Sequence, residues 1–297
     1  MTAQKKRDDV RFQALRRNRP TFTRQKQPLP PLLQEYLDYY ALPLGSGLYW
    51  FGYIECDEYL CAAHLAIPEG EVKGTVLLIH GFLSHFGFYQ DMIRVLLDDG
   101  WAVAGLDLPG HGLSTGTPTG IEDFSVYGTA VQALVDAVSH VAPKPFAAVG
   151  HSMGCASLLE YRLKGGNQPQ RYLFIAPLVR STMFGLSQFG FSLMQPFVDN
   201  LPRVYQKTTS DSDYLEFKEF HDPLQSDRVD PSWVRALFDW NSRIEETEMP
   251  PMELVIIQGD QDRVVDFTYN LDFLTARILN TRVYMIAGAR HELPKEI

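Results

Sequence analysis

The sequence predicts an α/β protein, with a mostly parallel central sheet, helices on both faces and a helical cap inserted late in the chain. Three observations predict it. Short, continuously apolar runs recur at 75–79 (TVLLI), 102–106 (AVAGL), 145–149 (PFAAV), 171–176 (RYLFIA), 253–257 (ELVII) and 282–287 (RVYMIA), as expected of strands buried on both faces. Helical segments near 88–99, 121–141 and 153–164 separate the early runs, and strand alternating with helix builds a parallel sheet. The alternation stops between about 178 and 249, a stretch too long for a plain loop.

The elements follow in order. Residues 1–27 carry nine Lys/Arg and two Asp and read as a basic, mobile arm, since like-charge blocks are usually solvated. Attraction to anionic lipid is the functional alternative for this arm. Residues 31–40 (PLLQEYLDYY) read as a short amphipathic helix. Alternating runs at 48–55 and 58–67, separated by Cys56-Asp57, read as a β-hairpin. A first core part then spans 28–177, the cap 178–249 and a second core part 250–297. The first half of the cap is rich in large apolar residues, with Leu186, Phe189, Leu193 and Phe197 at helical spacing. Its second half is more polar and holds another helix near 231–246.

Composition excludes several classes. With 45% apolar and 21% charged residues, the 297-residue chain is neither disordered nor collagen-like. The net charge is -9, and beyond residue 27 it is more negative still, which argues against a nucleic-acid-binding body. Three cysteines, Cys56, Cys61 and Cys155, do not make a disulfide framework and fit a reducing compartment. No run approaches the roughly 20 apolar residues of a membrane span, and the charged N-terminus has no apolar signal core. A cytoplasmic location follows, with membrane contact, if any, made peripherally by the arm and the apolar cap. No His/Cys spacing suggests a metal, and no cofactor is expected.

The strongest chemical signal is Gly150-His151-Ser152-Met153-Gly154, between an apolar strand and a helix. A serine at a sharp strand-to-helix turn stands above the sheet edge, and glycines two residues either side let the backbones crowd together. Its hydroxyl needs a base, and the base needs an orienting carboxylate, in the chain order Ser, Asp/Glu, His. Of the histidines after the elbow helix, His221 lies in the insertion, whereas His291 follows the last strand. His291 is therefore the expected base. The loop Gly259-Asp260-Gln261-Asp262 offers two acids of equal intrinsic acidity, and position alone favours Asp262. The backbone N–H groups of Met153, at the helix mouth, and of Phe82, in His80-Gly81-Phe82-Leu83, are the expected oxyanion donors. His80, Asp107, His111 and Ser114 read as structural residues around them.

Together LLIHGF (77–82), GLDLPGHGLSTG (105–116), VGHSMG (149–154), QGDQDRVV (258–265) and GARHEL (288–293) resemble the α/β-hydrolase superfamily. Within it they look like the monoacylglycerol lipase and lysophospholipase group with a serine aminopeptidase-type domain, and GARHEL and the WVRAL-bearing cap look like L2-type lysophospholipases. The resemblance implies an α/β-hydrolase fold and the triad Ser152, Asp262 and His291, the acid lying three residues after Gly259. It also implies Phe82 and Met153 as oxyanion donors, no metal or cofactor, and a small ester or lipid substrate. Phe184, Phe189, Leu193 and Phe197 of the cap are expected to contact an acyl chain. Rival readings are an aminopeptidase or small-ester esterase of the same fold, or a non-catalytic ligand-binding member. The group usually has a further helix after the histidine loop. Only six residues follow His291 here, so a loosely held loop is expected. The sequence fixes no oligomeric state.

Overall fold

The computed structural model describes residues 12–25, 29, 31–43, 47–144, 146–169, 171–185, 191 and 200–296. In chain order its main elements begin with α1 (Gln13–Asn18), α2 (Pro31–Tyr39), β1 (Leu48–Cys56), β2 (Tyr59–Ile67) and β3 (Gly74–Ile79). Next come α3 (Gln90–Asp98), β4 (Trp101–Leu106), α4 (Ser125–Val138), β5 (Phe146–His151), α5 (Met153–Leu163) and β6 (Arg171–Ile175). The late part holds the short β7 (Leu201–Pro202), α6 (Ser212–Glu216), the short β8 (Arg228–Val229), α7 (Pro231–Glu246), β9 (Glu253–Gly259), α8 (Phe267–Arg277) and β10 (Arg282–Ile286).

Eight strands form one sheet in the order β1-β2-β4-β3-β5-β6-β9-β10. β1 pairs with β2, and β2 with β4, antiparallel, while all later neighbours are parallel. Every residue of β3 is buried, which is why TVLLI carries no polar alternation. One face of the sheet packs against α4, α5, α7 and α8 through Leu134, Leu158, Trp240 and Leu274. The other packs against α1, α2 and α3 through Leu15, Tyr36 and Ile93. The predicted mostly parallel α/β sheet with helices on both faces is thus the observed architecture. α8 was not anticipated. It begins at an Asp266 cap, whose side chain accepts a hydrogen bond from Tyr269 N–H.

Over its described residues, 12–25, the arm departs from the expected mobile segment: Phe12 and Leu15 are almost fully buried, and Phe12 packs on Tyr36 and Tyr40. Phe22 N–H donates to Tyr53 O (2.9 Å) and Tyr53 N–H donates to Pro20 O (2.7 Å), so the segment lies along the outer edge of β1. Gly52 permits this approach, because a Cβ there would come within 2.4 Å of Phe22 N. The charge count of the segment hid two apolar anchors. At the opposite edge, β10 keeps Tyr284, Met285 and Ile286 exposed.

The cap region is also less separate than its position in sequence suggests. α7 starts at an Asp230 cap with Pro231 in its first turn. It inserts Trp233, Leu237, Trp240 and Ile244 into the main core. Trp240 Nε1–H donates to the buried Glu160 carboxylate (2.8 Å).

Candidate active site

The segments that follow β3, β5, β9 and β10 meet at the carboxyl edge of the sheet, where the parallel strands all end on the same side. After β5 the chain turns at once into α5, and Ser152 sits at the turn with φ 52° and ψ -115°. That backbone is costly for a residue with a side chain, and the fold enforces it. A Cβ on Gly154 would lie 2.1 Å from Ile79 O, so glycine alone allows α5 to start this close to β3. Ser152 N–H is held by Ile175 O (2.9 Å) on the neighbouring strand.

The loop after β10 brings His291 to the serine. Its Nε2 lies 3.0 Å from Ser152 Oγ and its Nδ1 lies 2.8 Å from Asp262 Oδ2. Asp262 comes from the loop after β9. Its Oδ1 accepts from Val264 N–H (2.8 Å) and Val265 N–H (3.2 Å), and its Oδ2 also accepts from Gln258 Nε2 (3.1 Å). Burial alone would raise this carboxyl, but the His291 imidazole and these donors outweigh it and hold the group below its ordinary range. Asp260, the other acid the sequence allowed, instead accepts from Gly288 N–H (2.8 Å) and ties its loop to the histidine loop.

Phe82 and Met153 flank the serine. Met153 is the first residue of α5, so its N–H has no intrahelical acceptor. Phe82 N–H makes no hydrogen bond among the described residues. Both side chains rest on one residue of α7, Trp233. Its ring stacks on Phe82 at 3.7 Å, and its Nε1–H donates to Met153 Sδ (3.3 Å). Nothing in the sequence singled out Trp233 for this role. Its place two residues after Pro231 marks a helix start and no more.

His151 links three parts of the site. It is buried, and burial pulls its pKa down to about 4, so it is neutral at pH 7. Its Nε2–H donates to His291 O (3.0 Å), which makes Nδ1 the acceptor of the Tyr89 hydroxyl (2.9 Å). Tyr89 in turn accepts Gly81 N–H (3.1 Å). The loop after β3, the elbow and the histidine loop therefore share one chain of hydrogen bonds. His80 and Asp107 hold the loops beneath: His80 Nε2 accepts Leu108 N–H, and Asp107 accepts Phe86 and Leu113 N–H, all at 2.7–2.8 Å.

The loop after His291 is firmly tied, against the expectation. Glu292 forms a buried ion pair with Lys218, and its N–H donates to Thr208 O (2.8 Å). Lys295 pairs with Asp91 (2.5 Å), and its carbonyl accepts the Thr209 hydroxyl (2.7 Å). The contacts come from the insertion and from α3, elements distant in sequence, and so were not readable from the motif.

Ser152 and His291 open onto a cleft of about 710 Å³, whose apolar wall includes Leu83, Met183, Val204, Tyr205, Leu215 and Val264. Arg203, Lys207 and Arg263 also line it. Of the cap residues expected to touch an acyl chain, Phe189, Leu193 and Phe197 lie outside the described residues. Phe184 packs edge-on against Phe238 (5.2 Å), and it is its neighbour Met183 that lines the cleft. Among the described residues no cluster of three or more His, Cys, Asp or Glu could hold a metal ion.

The chain is similar to known hydrolases over most of its length. The family model described as serine aminopeptidase, S33 (Hydrolase_4) matches residues 70–297. Human monoglyceride lipase is 28% identical over 247 residues, covering 77% of this chain and 79% of that one. Phospholipase YtpA of Bacillus subtilis is 25% identical over 238 residues, covering 75% and 89%. A soluble variant of monoglyceride lipase from Saccharomyces cerevisiae, solved with a substrate analogue, superposes with a TM-score of 0.69 at 20% identity, covering 84% of this chain and 90% of that one. With its sheet order and elbow, these matches make the chain a serine hydrolase of the α/β-hydrolase superfamily, in the family described as serine aminopeptidase, S33.

Proposed function

We propose that the protein hydrolyses carboxylic esters of apolar acyl groups, of the lysophospholipid or monoacylglycerol type, through an acyl-enzyme. The observation that carries this reading is the hydrogen-bonded series Asp262–His291–Ser152 opening on a cleft with apolar walls. In the reaction, Ser152 Oγ attacks the ester carbonyl while His291 Nε2 takes its proton. Asp262 keeps the Nδ1–H tautomer in place and stabilises the imidazolium. The Phe82 and Met153 N–H groups receive the charge that develops on the carbonyl oxygen. His291 then returns the proton to the leaving alcohol, and a water activated by the same imidazole releases the acyl group. The acyl chain lies along the apolar wall, each buried methylene contributing about 0.8 kcal/mol.

The names of the lipase and phospholipase relatives support an acyl-lipid substrate. Met183 and Val204, at 63% and 75% exposure beside the cleft, suit peripheral contact with lipid. No helix among the described residues is long and apolar enough to cross a membrane. The cleft weighs against an aminopeptidase: among the described residues its lining holds two carboxylates, of which Glu292 is spent on Lys218, and Arg203, Lys207 and Arg263 set against Glu219 disfavour a substrate amine. A fluorophosphonate probe tests the reading. Labelling is expected on the wild type and lost in Ser152→Ala; an unlabelled wild type, or equal labelling of the variant, refutes it. Rates on p-nitrophenyl esters of rising chain length should increase beyond acetate.

A further inference from the structure

The cleft is electrically unlike the body around it. Beyond residue 27 the chain is strongly acidic, yet four cations line the cleft with Ser152: Arg203, Lys207, Lys218 and Arg263. Among the described residues only Lys218 has a carboxylate partner in an ion pair, the buried Glu292. Arg203 bonds to the neutral Gln225 side chain and to Ser226 O (3.2 Å), with no ion pair among the described residues. Burial pulls its pKa below the ordinary arginine value, against the opposing influence of Tyr205, Glu292, Tyr214 and Asp222. Lys207 and Arg263 are exposed and make no ion pair among the described residues. Among the described residues that line the cleft, Glu219 is the carboxylate not engaged by Lys218.

A half-buried guanidinium held by neutral acceptors, with two exposed cations lining the same cleft, is complementary to an anion. The apolar wall of the same cleft suits an acyl chain. Resting on the ester-hydrolase reading above, we propose that Arg203, Lys207 and Arg263 form a subsite for an anionic, phosphate-bearing leaving alcohol. The substrate class is then an acyl ester of a glycerophosphate, preferred over a neutral monoacylglycerol. The cations select through ground-state binding, so the preference resides in KM.

The experiment compares 1-octanoylglycerol 3-phosphate with 1-octanoylglycerol, both below their micelle concentrations so that surface charge plays no part. The wild type is expected to favour the phosphate ester in kcat/KM by about tenfold or more. Lys207→Gln/Arg263→Gln, two exposed changes that leave the core intact, should lower that ratio about tenfold through KM. Glycerol 3-phosphate should inhibit the wild type competitively, and octanoate, which carries its charge on the acyl side, should inhibit less. A wild type that hydrolyses the neutral ester as well as the charged one overturns the proposal alone, as does a ratio unchanged in the double variant. Absence of turnover on both esters together with absence of fluorophosphonate labelling overturns the hydrolase reading as well.

Discussion

Replacing Lys218 with methionine keeps most of the side-chain stem and removes the ammonium from the buried pair with Glu292. Both side chains are only 8% exposed. Burial by itself would raise the Glu292 carboxyl; Lys218 is the largest influence in the other direction and, with His151 and His291, brings it down to about 2 from an ordinary 4.5. A carboxyl depressed in the folded state adds stability that is complete above pH 4.5 and is lost as the pH falls toward 2. At pH 7 all of it is present. Removing one member of a buried pair costs roughly 3–5 kcal/mol, because the other charge is left buried without a partner. For a chain of this size the melting temperature should fall by about 6 °C or more. Thermal unfolding at pH 7 of the wild type, Lys218→Met and Lys218→Met/Glu292→Leu tests the argument. The double variant should regain most of the loss, because no uncompensated charge stays buried. A single variant as stable as the wild type, or a double variant no better than the single, would refute the reasoning. Glu292 directly follows His291, so the single variant should also lose kcat.

Other expectations can be checked alongside. Trp233→Phe keeps the ring on Phe82 but removes the donor to Met153 Sδ; kcat should fall about tenfold with little change in KM, and a change confined to KM would contradict the assigned position. Gly154→Ala places a Cβ 2.1 Å from the Ile79 carbonyl oxygen, backbone that cannot move aside, so a loss of about 3 kcal/mol or more is expected in denaturant unfolding. His151 and His111 are buried neutral, with pKa values pulled down to about 4 by burial. The unfolded chain therefore binds more protons below pH 6.5, and stability should be full above 6.5 and fall as the pH drops toward 4, by about 3 kcal/mol for His151 alone. A melting temperature that stays level from pH 7 to 4 would exclude this.

Much of the sheet was legible because a strand buried on both faces must be apolar throughout, and TVLLI, AVAGL and ELVII are. The elbow was legible because its two glycines are sterically required, and chain order reduced the bases to His291. The choice between Asp260 and Asp262 was not intrinsic to either residue. It depended on which carboxylate reaches Nδ1 and which one ties Gly288. Trp233, Lys218 and Arg203 escaped notice for one reason. Their partners Phe82, Glu292 and the cleft are far away in sequence, and no local period records a tertiary contact. The arm was misread because nine cations outweighed Phe12 and Leu15 in any count of charge.

That arm alters how the molecule should be engineered. Trimming it as a dispensable basic tail would delete the strand-like segment around Thr21 that pairs with Tyr53. It would free the Tyr53 N–H and carbonyl at one rim of the sheet and open the aromatic nest that holds Phe12. An uncovered strand rim is a template for another chain. A shortened protein would therefore fail through aggregation during preparation, with Ser152, His291 and Asp262 still in place.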